Sequence, residues 1–261
     1  MNMHRTIGGN LISRLRLIAF VLLTLTAVSV FAEKKPKVST ASKGGANKVV
    51  DRGKFDVLVS GQRVATEAFT ITQFEGGSIT ISELRADSDG RNITQKSELY
   101  LNSTGGLQKY QWQQFAPSKE QCLVYPKDDF LSEHMVASDG KTSEQPFLLP
   151  VSTVILDDYF FSQRELLLWR YMGENCHIEP GKDGCQLSKV TYGSLIPRQR
   201  LSAVTSVEYK GREVLQIKGN AVLLDHYVIE SEGPKWDLWV DGDHKLQRVV
   251  IAETATEVVR D

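Results

Sequence analysis

From Phe55 onward, apolar and polar residues alternate in short runs that turn-forming residues interrupt. Phe55, Val57 and Val59 alternate with polar residues as far as Gly61, and a second run of this kind extends over residues 63–74. A period of two, with turns about every 8 to 12 residues, is typical of antiparallel strands that bury one face. The pattern therefore predicts a mainly β chain built as a long meander.

The same pattern continues almost to the end of the chain, with one interruption. Further strands are predicted over residues 78–86, 93–101, 107–115, 121–125, 188–195, 201–209, 214–218, 222–231, 236–240 and 246–252. A sheet of about ten strands tends to curl, and its concave face must then be filled. We therefore expect an α+β fold in which a curved sheet or incomplete barrel surrounds one substantial helix.

The interruption near residues 155–172 has no period of two. At about 100° per residue, a helix here would have a broad apolar side and a narrower polar side. The apolar side would carry Leu156, Phe160, Leu167 and Tyr171, and the polar side Asp158, Ser162 and Glu165. We expect Asp157 or Asp158 to cap the N-terminus of this helix and Gly173 to mark its end.

The first 32 residues have the layout of a secretory signal peptide. Arg5, Arg14 and Arg16 precede an apolar run that ends at Ala32. Because this run is shorter than the ~20 residues that a spanning helix needs, cleavage after Ala32 is favoured over an uncleaved anchor. We expect an exported protein, in the periplasm or outside the cell, with no transmembrane span after cleavage.

Residues 33–54 are predicted to be a flexible basic linker, since they are rich in Lys and contain Pro36 and two adjacent glycines. Residues 55–261 are then expected to form a single β-rich domain. Over the whole chain, 31 Lys and Arg nearly balance 32 Asp and Glu, which argues against a nucleic-acid binder. Neither a P-loop nor a G-x-G-x-x-G motif is present, and we expect no cofactor.

Two segments support a resemblance to known proteins. These are Gly61-Gln62-Arg63-Val64-Ala65-Thr66-Glu67 in the first hairpin and Leu238-Trp239-Val240-Asp241-Gly242-Asp243-His244-Lys245-Leu246-Gln247-Arg248-Val249 near the end. In these turns and in its layout, most of residues 54–261 resembles uncharacterised β-rich secreted proteins of Gram-negative bacteria. More distantly, the layout is similar to the open-barrel lipid and lipoprotein carriers of the periplasm. The resemblance implies an incomplete barrel around a helix that can hold an acyl chain, and it implies no catalytic residue.

The three cysteines are interpreted separately. Cys176 and Cys185 flank a short polar loop, and in an exported chain this arrangement favours a disulfide over a metal site that also uses His177. We therefore expect no metal. Cys122 lies in an apolar strand without a neighbouring His/Asn signature, which indicates a buried structural thiol rather than a nucleophile.

A catalytic function has little support in the sequence. There is no G-x-S-x-G motif, and the histidines are scattered without a spacing that pairs them with a nucleophile or a ligand. A non-enzymatic protein with no catalytic residues is therefore favoured. A hydrolase that uses Asp157, Asp158 or His226 is the weaker alternative.

A set of aromatic and apolar residues suggests where a ligand could bind. A cavity between the helix and the sheet would suit an acyl chain or another amphiphile. The contacts proposed for it are Tyr110, Trp112, Phe160, Leu167 and Trp239. The alternatives are that these residues form the core, and that the protein is an interaction module without a small ligand. The leading hypothesis is an envelope protein that binds a lipid or a lipidated partner; the sequence leaves the oligomeric state open.

Overall fold

The computed structural model describes residues 47–88, 91–157, 160–179, 182–185 and 187–261. The predicted signal peptide, residues 1–32, and residues 33–46 of the predicted linker lie outside these ranges.

The first half of the described chain is a meander of eight antiparallel strands. They are β1 (Lys48–Val59), β2 (Gln62–Phe74), β3 (Gly77–Ser88), β4 (Arg91–Asn102), β5 (Leu107–Ala116), β6 (Glu120–Lys127), β7 (Phe130–Val136) and β8 (Thr142–Phe147). Each strand pairs with the next, because short connections join antiparallel neighbours. The alternation of buried and exposed residues along β2 follows the period of two on which the prediction relied.

A connecting segment separates this meander from a second one. It contains β9 (Val154–Ile155), helix α1 (Ser162–Asn175) and a small hairpin of β10 (Cys176–Glu179) and β11 (Lys182–Cys185). The second meander consists of β12 (Lys189–Ile196), β13 (Leu201–Ile217), β14 (Asn220–Glu230), β15 (Trp236–Val240), β16 (Leu246–Ile251) and β17 (Thr256–Arg260). Two 3₁₀ turns, Pro197–Gln199 and Ala252–Thr254, occur within it.

The two meanders form a single sheet because β17 pairs with β1. The strand order runs from β8 back to β1, then from β17 back to β12, and ends at β9, which pairs in parallel with β12. In the described part of the chain, the edge strands β8 and β9 do not pair with each other, so the sheet does not close into a barrel. The predicted fold class is therefore confirmed: a long meander, mainly β, with one substantial helix.

Helix α1 lies against the sheet between two hydrophobic clusters. One cluster joins the helix to β1, β2 and the second meander through residues such as Phe55, Leu168, Tyr171, Tyr227 and Val249. The other joins Phe160 to β3–β8 and β12 through residues such as Leu84, Leu99, Tyr110, Val124 and Leu195. The helix therefore fills the concave side of the sheet, as the broad apolar side of the sequence predicts.

Several boundaries differ from the predictions. The first strand begins at Lys48, so residues 48–54 are strand rather than linker. This polar stretch is ordered because Asp51 is buried and accepts hydrogen bonds from Arg260 of β17 at 2.6 and 2.8 Å. Likewise, the two strands predicted over residues 201–209 and 214–218 form one strand, β13, which is continuous from Leu201 to Ile217 with a bulge between Tyr209 and Gly211.

The ends of the helix also differ from the predictions. The helix continues through Gly173 to Asn175, and Cys176 then adopts an extended conformation that starts β10. Its N-cap residue is Phe161, with no capping side chain from the neighbouring residues, so Asp157 does not cap the helix. Asp158 lies outside the described residues.

Candidate functional site

A cavity of about 920 Å³ lies between the concave face of the sheet and the start of helix α1. Its walls come from β1–β6 on one side and from β12–β17 on the other, and Phe161 and Arg164 of the helical segment form its floor. Much of the lining is apolar: Val57, Leu84, Trp112, Leu156, Ile229, Trp236 and Ile251. Its size is within the range of about 300 to 1,000 Å³ that is typical of small-molecule sites.

A buried carboxylate on β2 holds the helix at this position. Glu67 is fully buried and accepts hydrogen bonds from the backbone N–H of Phe161 at 2.6 Å and from the hydroxyl of Ser162 at 2.7 Å. Burial raises the pKa of Glu67, although the hydrogen bonds from Ser162, Ser82 and the helix backbone oppose this. Glu67 thus satisfies the first helical N–H groups that Asp157 was predicted to cap.

Asp157 instead forms a buried polar cluster beside the cavity. Arg198 donates from Nε to both carboxylate oxygens, at 2.8 and 2.9 Å, and the Tyr110 hydroxyl donates to Oδ2 at 2.5 Å. Burial, together with the charge of Asp157, raises the pKa of Tyr110 well above its usual value. The guanidinium of Arg198 also lies over the ring of Trp112, 4.8 Å from its centroid.

Gln95 extends this cluster toward β5. Its amide oxygen accepts hydrogen bonds from Arg198 Nη1 at 3.1 Å and from Trp112 Nε1 at 3.3 Å. Its amide nitrogen donates to Gln114 at 2.9 Å. The polar groups beside the cavity therefore bond to one another, which fixes the shape of this wall.

Arg164 fixes the chain at the start of the helix. Its guanidinium donates to the backbone carbonyls of Asp157 and of Phe160, the latter at 3.1 Å, and lies 4.5 Å from the ring centroid of Trp236. Only 4% of Arg164 is exposed. This residue holds the turn before the helix and forms a polar part of the cavity floor.

The five proposed contact residues do not lie together. Tyr110, Trp112 and Phe160 belong to one buried cluster, and only Trp112 of the five lines the cavity. Leu167 is buried in the other cluster, with the second meander. Trp239 stacks on His226 with ring centroids 4.9 Å apart, and it donates from Nε1 to Glu213 at 2.5 Å.

The residues of the alternative hydrolase hypothesis are separated in the same way. His226 Nε2 and Asp237 Oδ1 form a hydrogen bond of 2.8 Å. His226 lies on the face of β14 opposite the core residues Tyr227 and Ile229. Asp157 is fully buried with Arg198 and Tyr110. The structure therefore does not bring Asp157 and His226 into a common site.

The polar residues of the site were missed by the sequence analysis. Glu67, Gln95, Arg164 and Arg198 lie in different elements. Glu67, Gln95 and Arg198 gain their roles from partners far along the chain, whereas Arg164 donates to carbonyls of the turn just before it. A sequence signal exists for Arg164 alone, as a charged residue in a largely apolar segment. That signal indicates burial but does not identify the partners.

The predicted disulfide is confirmed. Cys176 and Cys185 are bonded, with their Cα atoms 3.9 Å apart across the β10–β11 pair. Cys122 is a free thiol, and burial, followed by the charge of Glu133, raises its pKa. A buried thiol in such surroundings is a poor nucleophile, which fits the structural role that we predicted for Cys122.

Comparison with known proteins adds information about the fold. No family model matches the chain, and no curated protein matches it. The structure is similar to a crystal structure from Brucella abortus, described as a beta-barrel-like protein of a domain of unknown function, DUF1849. The TM-score is 0.50 at 8% sequence identity, and the match covers 80% of this chain and 94% of the other. At this identity the likeness shows the fold alone, and it agrees with the predicted β-rich architecture.

Within the described ranges, no helix has both the length and the apolar character to cross a bilayer.

Proposed function

We propose that the protein is a non-enzymatic envelope protein that binds an amphiphile, or the lipid part of a lipidated partner, in the cavity. The observation that carries this proposal is the cavity itself: about 920 Å³, with a largely apolar lining, inside an open curved sheet. Burial of an alkyl chain there would gain about 0.8 kcal/mol for each methylene group removed from water.

The polar groups beside the cavity support binding rather than catalysis. The Tyr110 hydroxyl donates to Asp157, and Arg198 neutralises the same carboxylate. A base or nucleophile at this position would have to give up a buried hydrogen bond before it could react. The fixed polar wall would instead hold the shape of the cavity around a bound molecule.

The disulfide supports export, the second part of the proposal. Cys176 and Cys185 are bonded, and disulfides persist mainly in oxidising compartments. The cleaved signal peptide that we predict would deliver the chain to such a compartment.

A pair of matched variants tests the proposed site. Ala86 lines the cavity, so the bulky side chain of Ala86→Trp would occupy its space. Ala68, on the neighbouring strand β2, is exposed and lies outside the lining, so Ala68→Trp adds the same ring elsewhere. We expect displacement of a fluorescent fatty acid to show about tenfold weaker binding in Ala86→Trp only. Equal binding by both variants would count against this cavity as the site.

A further inference from the structure

The cavity opens sideways where strands β2 and β3 separate. The β2–β3 pairing stops at Ala65 and Ala86, although β2 begins at Gln62 and β3 continues to Ser88. Beyond this point, β2 stays paired with β1, and β3 stays paired with β4. Two hairpins therefore diverge and leave a gap in the wall of the sheet.

A groove of about 620 Å³ occupies this gap. Its lining consists of Arg63–Thr66, Arg85–Asp87 and Asn92–Thr94, and we call it the side groove. It shares Val64, Ala65, Ala86, Asp87 and Ile93 with the cavity. The two spaces therefore adjoin along these residues, and a molecule in the cavity can reach the side groove through the gap beyond the Ala65–Ala86 pair.

The outer part of the side groove differs from the cavity in its chemistry. Arg85 pairs across the sheet with Thr66 on one side and with Thr94 on the other, so the three side chains form one row. Arg85 is exposed, and no carboxylate of the described residues lies within ion-pair distance of it. The Thr66 hydroxyl already donates to Asp56 Oδ1 at 3.3 Å. The Thr94 hydroxyl and the Arg85 guanidinium are suitable donors for an anion.

A second guanidinium lies at the same end of the gap. Arg63 has a side chain that is 61% exposed, and its closest carboxylate is Asp56 at 3.6 Å. Such an exposed pair contributes little, about 0 to 1 kcal/mol, so a bound anion can compete with Asp56 for Arg63. Asp87 also lines the side groove and is exposed. An anion would have to approach from the side of the two arginines.

Arg198, one of the two arginines that line the cavity, is a weaker candidate for binding an anion. Arg198 already forms a two-oxygen contact with buried Asp157, so its charge is balanced in place. An anion there would have to displace a buried carboxylate, which is costly.

We infer that the side groove binds the anionic headgroup, a carboxylate or a phosphate monoester, of an amphiphile whose alkyl chain lies in the cavity. This inference rests on the proposed function. The cavity takes up the apolar chain, and Arg85, Arg63 and the Thr94 hydroxyl contact the charged end.

The test compares amphiphiles that share one alkyl chain and differ in headgroup. Decyl phosphate, decanoate, the neutral decyl glucoside and decyltrimethylammonium are titrated below their micelle concentrations into the full exported protein, with detection by calorimetry. The inference predicts that at least one anionic compound binds about tenfold more tightly than the neutral and cationic ones. The phosphate and carboxylate arms show which headgroup is preferred.

Two variants locate the effect. The double variant Arg63→Gln and Arg85→Gln should lose the preference for anions and keep its affinity for decyl glucoside. Arg52→Gln is the control, because Arg52 is exposed on β1 and does not line the side groove. It lies about 17 Å along the strand from Val57, the cavity residue of β1. It should keep the full preference.

The outcomes separate this inference from the proposed function. Equal affinity for anionic and neutral compounds, or a preference that survives in the double variant, overturns the headgroup assignment while the cavity remains a binding site. If none of the four compounds binds, the proposed function fails, and the inference fails with it.

Discussion

Glu165 is a buried carboxyl group that should make the stability of the protein strongly dependent on pH. It lies in the first turn of helix α1, fully buried, where burial and the neighbouring Asp51 raise its pKa to about 10. Glu165 therefore keeps its proton at neutral pH. In agreement, Glu165 Oε1 accepts no hydrogen bond from the described residues, as expected for a protonated carboxyl oxygen beside Asp51.

The size of the effect follows from the difference between the folded and unfolded pKa values. Between about pH 6 and pH 8, the folded carboxyl is protonated and the unfolded one, with an ordinary pKa of 4.5, is ionised. Folding then takes up one proton, so the free energy of unfolding falls by about 1.4 kcal/mol per pH unit, or about 2.7 kcal/mol over this range. Burial tends to raise the pKa of Asp51, but hydrogen bonds from Glu165 and Arg260 outweigh it and lower that pKa. Asp51 is ionised in both states here and adds no slope.

The variant Glu165→Gln removes the titrating group and keeps its contacts. The amide nitrogen can still donate to Asp51, and the amide oxygen can accept from Arg260 Nη1, which lies 3.5 Å from Glu165 Oε2. Urea unfolding at about pH 6, 7 and 8 gives the free energy of unfolding of both proteins. The difference, variant minus wild type, should increase by about 2.7 kcal/mol from about pH 6 to pH 8. The exposed Glu75 provides the control Glu75→Gln. Parallel pH profiles for wild type and Glu165→Gln would refute the argument.

Three further predictions concern other parts of the fold. Glu67→Ala leaves the N–H groups of Phe161 and Ser162 without their acceptor. The free energy of unfolding, measured in urea titrations, should fall by about 3 kcal/mol. An unchanged midpoint of urea unfolding would exclude Glu67 as the anchor of the helix. Replacing both Cys176 and Cys185 by Ser removes a disulfide with a sequence separation of 9. The free energy of unfolding should then fall by about 2 to 3 kcal/mol, which lowers the midpoint of urea unfolding. Wild type with its disulfide reduced should show the same midpoint as this variant. Cys122 is fully buried, so iodoacetamide should alkylate it only in denaturant, as read by intact mass; modification of the folded protein would show that it is accessible.

The fold was predictable where local pattern and burial agree. Strands such as β2 and β5 alternate clearly because one face packs on the core and the other faces water. Strand β8 was missed because it is an edge strand with mostly exposed polar residues and Pro146, which do not alternate in the predicted way.

The site was less predictable because its polar residues depend on distant partners. Ser162 and Glu165 were predicted on the polar, outward side of the helix, yet both are fully buried. Ser162 bonds to Glu67, and Glu165 contacts Asp51 and Arg260, residues that lie about a hundred positions away along the chain. Local periodicity contains no information about such pairs, so it predicted an apolar cavity without its polar wall.

The most direct test of the central claim is native mass spectrometry of the protein recovered from a bacterial envelope without detergent. The account predicts a discrete adduct of lipid size that organic extraction removes, present in wild type and in Ala68→Trp and depleted in Ala86→Trp. Bare protein in all three samples, or an adduct that Ala86→Trp retains in full, would contradict the claim that this cavity binds an amphiphile.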